Sequence, residues 1–198
     1  MYDDEFELTF DLSDEDEASR APEPEQEPVQ EAAPEPAAET EPPVEPVPEP
    51  AVPAANGRCV LISGGDRGIG AAAARAFWQA GYRVAVLYHT HAEAAAALEK
   101  ALPGLLAVQC DVASRASCEV AFHTVEQAVG HVDVLVSNAG IAQQKLFTDI
   151  TPEEWQHMLD VNLSGAFHLC QLALPGMIRR KAGRILTVSS MWGQTGGS

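Results

Sequence analysis

Nowhere in these 198 residues do apolar side chains run on for the roughly twenty positions that a membrane-spanning helix needs. The acidic N-terminus also lacks the basic and apolar regions of a secretory leader. Cysteine is scarce. Cys59, Cys110, Cys118 and Cys170 show no CxxC spacing and no histidine at metal-ligand spacing, and the six histidines form no cluster in the sequence. Free buried thiols in a reducing compartment, with no bound metal, are therefore expected. The expectations are a soluble, cytoplasmic protein with neither a membrane nor a nucleic acid among its partners. Positive charge is also short, with 12 basic residues against 29 acidic ones, but the shortage is local. Residues 1–55 hold 18 acids, the single base Arg20 and 11 of the 14 prolines, whereas residues 56–198 carry 11 acids and 11 bases. The acidic balance belongs to the first segment and says nothing about the second.

Residues 1–55 have too few apolar side chains to offset the entropy of ordering them, and their Pro-Glu repeats favour polyproline character. A disordered acidic tail is expected there. Phe6, Leu8, Phe10 and Leu12 alternate with polar residues, a pattern that can offer an apolar edge to a partner strand. The preferred reading is a solvated tail with a few scattered hydrophobes.

Residues 56–198 read as one domain. Short β-branched runs at 58–63, 83–88, 105–110, 132–137 and 184–190 alternate with helical patterns near 68–80, 92–102 and 114–129 and a long helix opening at Thr151. Gly81, Pro103-Gly104 and Gly130 stop the first three helices. Thr151, Pro152 and Glu154 spell a capping box, and Pro175 predicts a kink or break towards the far end of that helix. The strands are almost wholly apolar, as in a parallel sheet covered on both faces. Strand and helix in alternation give an α/β fold with a doubly wound, Rossmann-like sheet.

The most informative stretch is "SGGDRGIG", residues 63–70, between the first strand and the first helix. Gly64 allows a sharp turn at the strand end. Gly68 and Gly70 leave the helix start without side chains, so a bulky anion can approach its backbone amides. The helix N-terminus there offers unpaired donors and about half a unit of positive charge to a pyrophosphate. Strand, glycine loop and helix in that order are the context a dinucleotide site requires.

The GxxxGxG spacing resembles the short-chain dehydrogenase/reductase family, whose signature is TGxxxGIG; Ser63 stands here for the usual threonine and keeps its hydroxyl. Further landmarks follow in order: "CDV" at 110–112, "SNAG" at 137–140, "VN" at 161–162 and "SS" at 189–190. Within the family the chain looks most like the 3-oxoacyl-[acyl-carrier-protein] reductases. The resemblance implies an oxidoreductase of fatty acid biosynthesis that reduces a small-molecule or carrier-protein-bound ketone to a 3-hydroxy product, with a homo-oligomer for the whole protein. It implies that Ser63, Gly64, Asp66, Arg67, Gly68, Ile69 and Gly70 hold the cofactor. Asp111 would accept from the adenine amine with Val112 beside it, and Asn138, Ala139 and Gly140 would line the ribose. Ser137 replaces the first asparagine of the family's NNAG segment. Ser190 matches the serine that hydrogen-bonds the substrate carbonyl, and Asn162 the residue that holds a water in the proton relay.

The second strand ends in "YHTH", with no acid before Glu93, and Arg67 resembles the base that pairs with a 2′-phosphate. NADPH rather than NAD is therefore expected. The family's tyrosine and lysine normally lie beyond the serine, one helical turn apart, and no YxxxK occurs among the 198 residues; Tyr2, Tyr82 and Tyr88 stand elsewhere. The expectation is a sheet incomplete at its C-terminal side and a chain that is silent by itself, from a parent that is a reductase. The alternative is a non-catalytic nucleotide- or partner-binding module with an acidic interaction tail.

Overall fold

The computed structural model describes residues 54–190. The acidic tail up to position 53, with its alternating Phe6–Leu12 segment, and the "MWGQTGGS" stretch at 191–198 lie outside the described residues. Five parallel strands form one sheet in the order β3-β2-β1-β4-β5: β1 Cys59–Ser63, β2 Arg83–Tyr88, β3 Leu106–Gln109, β4 Val134–Ser137 and β5 Arg184–Thr187. Parallel pairing sets Leu61 against Ala85 on one side and Leu135 on the other. The chain winds outward from β1 to β3, then returns to place β4 on the opposite side of β1. Strand order therefore reverses between β1 and β4, and the crevice beyond their carboxyl ends is where ligands bind in sheets of this kind.

Alternate residues of each strand feed two cores. Val60, Ile62, Val84 and Val86 pack with Ala74 and Trp78 of α1 (Gly68–Gln79) and Leu98 of α2 (Ala92–Ala101). Leu61, Leu87 and Leu135 pack with Cys118, Phe122 and Val125 of α3 (Arg115–Val129) and with Leu169, Ala173 and Met177 of α5 (Gly165–Arg180). With both faces covered, strand residues need no polar alternation, which is why the sequence shows none.

The helix boundaries follow local chemistry. Ser114 caps α3, its hydroxyl accepting from the Ser117 amide at 3.3 Å, and Gly130 closes that helix at φ 86°. α4 (Pro152–Leu159) opens with the expected reciprocal capping box: Glu154 N–H donates to Thr151 Oγ1 at 3.3 Å and Thr151 N–H donates to Glu154 Oε2 at 2.8 Å. The Lys145 ammonium, 2.8 Å from that carboxylate, holds Glu154 below the usual carboxyl range, with the Thr151 amide contributing.

Three expectations need correction. β4 begins at Val134, not at 132. β5 ends at Thr187, not at 190, because its ladder partner β4 ends at Ser137; one further bond, Val188 N–H to Ser137 O at 2.9 Å, closes the pair. Of the kink or break expected at Pro175, the break does not occur, since α5 runs through it to Arg180, with the buried Ala173 and Met177 on either side. Its irregularity comes earlier, in a π-helical turn over Asp160–Ser164 that joins α4 to α5. Among the described residues no helix is long and apolar enough to cross a membrane, and no His/Cys/Asp/Glu group is placed to hold a metal ion.

Leu61 is wholly buried on the central strand and serves the larger core. Leu61→Ala is predicted to lose about 2–5 kcal/mol of unfolding free energy in a urea titration. Thr151→Ala, which removes only a cap, should lose about 1 kcal/mol in the same measurement.

Candidate functional site

The site begins at the last residue of β1. Ser63 is fully buried, and its hydroxyl oxygen accepts from two backbone amides beyond β4, Asn138 at 3.0 Å and Ala139 at 3.1 Å. Asn138 reciprocates: its side-chain Nδ2 donates to the carbonyls of Ser63 at 3.0 Å and Gly64 at 2.9 Å. The two strand ends that flank the switch point are thus stitched together by four hydrogen bonds from one hydroxyl and one amide. Serine serves because the contact needs only an oxygen acceptor.

The glycine loop folds back over this stitch. Gly64 turns at φ +60°, and a Cβ at Gly70 would lie 2.1 Å from the Gly64 carbonyl and 2.7 Å from Asn138 Nδ2. Gly70 therefore admits the close packing of α1 onto the loop. Gly68 differs: it adopts φ +53° with nothing within 4 Å of where a Cβ would stand. Its bareness leaves open space in front of the helix N-terminus. Arg67 occupies the N-cap position in extended conformation without a side-chain cap bond, and the first turn holds no acidic residue. No acid within the first turn offsets the positive end of this twelve-residue helix, an arrangement that suits an anion.

A cavity of about 630 Å³ opens from this point. Of the residues expected to hold a cofactor, Gly64, Asp66, Arg67, Gly68, Ile69, Asp111, Val112, Asn138, Ala139 and Gly140 line it. Ser63 and Gly70 stand behind the wall as buried supports. Asp111 keeps one carboxylate oxygen on the Ala113 amide at 3.0 Å while still lining the cavity. The Val112 carbonyl is held by His168 Nδ1 at 3.1 Å, which in that contact must be the protonated nitrogen.

Asn162 sits on the π-helical turn, and both ends of its amide engage Ile141: Oδ1 accepts from the Ile141 amide at 2.8 Å and Nδ2 donates to the Ile141 carbonyl at 3.0 Å. Its side chain is thus a brace for the loop after β4, whose residues Gly140 and Ile141 form cavity wall. Ser190 lies exposed beyond the end of β5 and is not among the residues that line the cavity.

Several wall residues escaped the sequence reading. Tyr88, His89, Thr90 and His91 at the exit of β2, Cys110 at the end of β3, and His157 and Val161 of the long helical segment all face the cavity. The "YHTH" stretch was informative there for the acid it lacks; its own side chains also form a wall. Asp66 is more unusual. Its carboxylate is only 6% exposed, Oδ2 has no hydrogen-bond partner, and the nearest counter-group is His91 Nδ1 at 3.7 Å. The Cys110 and Cys118 sulfurs lie 4.0 Å apart. That contact holds the Cys110 thiol below its ordinary range and, with burial, pushes Cys118 up.

The family model described as short chain dehydrogenase matches residues 58–198. An acetoacetyl-CoA reductase of Shinella zoogloeoides is 40% identical over 139 residues, covering 70% of this chain and 57% of that protein. An acetoacetyl-CoA reductase of Rhizobium meliloti (strain 1021) is 41% identical over 139 residues, with the same two coverages. The 3-oxoacyl-[acyl-carrier-protein] reductase MabA of Mycobacterium avium is 40% identical over 144 residues, 71% of this chain and 53% of that protein. The chain spans little more than half the length of these curated relatives.

The stitch at the switch point can be tested through stability. Ser63→Ala leaves two backbone amides without an acceptor and is predicted to lower unfolding free energy by about 1–3 kcal/mol, read by urea titration. Ser63→Thr, which retains the oxygen, should stay within about 1 kcal/mol of the parent. Equal losses in the two variants would show that the hydroxyl is not what matters.

Proposed function

The chain belongs to the short-chain dehydrogenase family, and from that premise we propose that it binds NADP(H) and that its parent protein reduces a 3-oxoacyl group to its 3-hydroxy form. The observation that carries this reading is the uncapped N-terminus of α1, with the open space at Gly68, facing a cavity of about 630 Å³ at the strand switch point. An extended ligand with a dianionic pyrophosphate at its middle and a flat base at one end suits that shape: amides of the glycine loop for the pyrophosphate, Asp111 for the adenine amine, Asn138 to Gly140 for a ribose. The buried, unpartnered oxygen of Asp66 adds a demand for a hydrogen-bond donor from a ligand. When bound, the dinucleotide supplies the hydride.

The remaining work falls to the protein. Ser190 is proposed to donate to the substrate carbonyl and stabilise charge developing on its oxygen. Asn162, by fixing Ile141, holds the β4 loop against the cavity and so positions what lies on it. The 3-oxoacyl class is proposed from the printed names of the relatives, acetoacetyl-CoA and 3-oxoacyl-[acyl-carrier-protein] reductases, which share that chemistry. The family's tyrosine and lysine have no counterpart among the 198 residues. These residues are therefore proposed to bind dinucleotide without turning over substrate.

The phosphorylated cofactor is favoured by Arg67, exposed at the cavity wall, and by the absence of an acid at the exit of β2. The test is a titration of the full chain with NADPH and with NADH, following the nicotinamide emission. Binding of NADPH at micromolar concentration is expected, and Arg67→Gln should weaken it about tenfold while changing NADH binding less than about twofold. No change in emission at millimolar NADPH would remove the proposal.

A further inference from the structure

A carboxylate at the exit of β2 ordinarily selects an unphosphorylated ribose, because it accepts from the 2′-hydroxyl and repels a 2′-phosphate. β2 of this chain supplies none. The structure nevertheless brings a carboxylate to the same place from a different element: Asp66, on the glycine loop, lies 3.7 Å from His91 Nδ1 at the β2 exit, and both residues line the cavity. Asp66 is buried, and its Oδ2 has no hydrogen-bond partner, a costly condition that a donor from a ligand or from His91 would relieve. We propose that Asp66 and His91 together set which nicotinamide dinucleotide this cavity accepts, with the proton on His91 deciding the balance. The inference rests on the dinucleotide reading given above.

The charge count at this end of the cavity shows how. With His91 neutral, Asp66 and Arg67 cancel, and the free Oδ2 is an acceptor for a ribose hydroxyl. With His91 protonated, its Nδ1–H can turn to Oδ2, and the three residues together carry one positive charge, which favours a phosphate. A proton on His91 therefore moves the preference toward the phosphorylated dinucleotide, and its loss moves it back. The His91 side chain is 48% exposed and reaches solvent protons freely. Other titratable or polar groups that face the pair are Tyr88, His89 and Thr90 of the β2 exit, with Thr90 Oγ1 3.3 Å from His91 Nδ1. Cys110 and Asp111 of the β3–α3 connection and His157 of α4 line the same cavity. Glu93 lies in the first turn of α2. Of these His89 is the other histidine at the β2 exit, so it is the natural control.

The experiment is calorimetric titration of the full chain with NADP⁺ and with NAD⁺ at pH 6.5 and 8.5, above the second ionisation of a phosphate monoester near pH 6. The affinity ratio of NADP⁺ over NAD⁺ is expected to fall about tenfold from the lower to the higher pH. In His91→Gln the ratio should be the same at both pH values, whereas His89→Gln should retain the fall. Asp66→Asn should raise NADP⁺ affinity at pH 8.5 and weaken NAD⁺. A flat ratio in the parent, or a fall that survives His91→Gln, overturns the inference while leaving dinucleotide binding intact. Failure of both dinucleotides to bind at either pH overturns the functional reading and this inference with it.

Discussion

Everything at the functional end of this molecule depends on how closely β1 and β4 are tied where they leave the sheet. One serine oxygen and one asparagine amide make four hydrogen bonds across the crevice. They fix the distance between the glycine loop and the β4 loop, and so the width of the cavity between them. Gly70 extends the same constraint to α1, because only a missing side chain lets the helix sit against the Gly64 carbonyl. The positive helix end, the bare approach at Gly68 and the wall at Asn138 to Gly140 are held in register by this small group. None of them is itself a large source of stability. Their importance is geometric: they convert the stability of two apolar cores into a fixed opening.

The fold was legible because its signals are local. Apolar β-branched runs separated by amphipathic segments and stopped by glycine or proline mark strands and helices, and the sheet order follows from alternation. Boundaries failed where the neighbour, not the residue, decides: Val188 to Ser190 continue the run in sequence, but β4 ends at Ser137, whose carbonyl takes the Val188 amide. The break expected at Pro175 fails for a similar reason, since packing of Ala173 and Met177 carries the helix past a residue that would end it in isolation.

The site was legible in proportion to how much of it lies in one stretch of chain. The glycine loop announced itself by spacing. The contribution of the β2 exit did not, because a strand end without an acid looks empty until the fold brings an acid to it from 25 positions upstream. The part played by Asn162 was hidden in the same way. Its polar ends meet the backbone of Ile141, 21 residues earlier, so the residue that looks like a candidate for chemistry is first a fastening for a loop.

The π-helical turn at Asp160–Ser164 has a wider consequence. Such a turn amounts to one surplus residue in an otherwise regular helix, and one residue is about 100° of rotation about the axis. The surplus therefore acts as a phase shifter between two halves of one rod. Before it, the rod turns His157 toward the cavity, and Val161 follows within the turn itself; after it, Leu169, Ala173 and Met177 face the sheet. Those two duties belong to different angular sectors, and the wider turn between them lets a single continuous rod satisfy both.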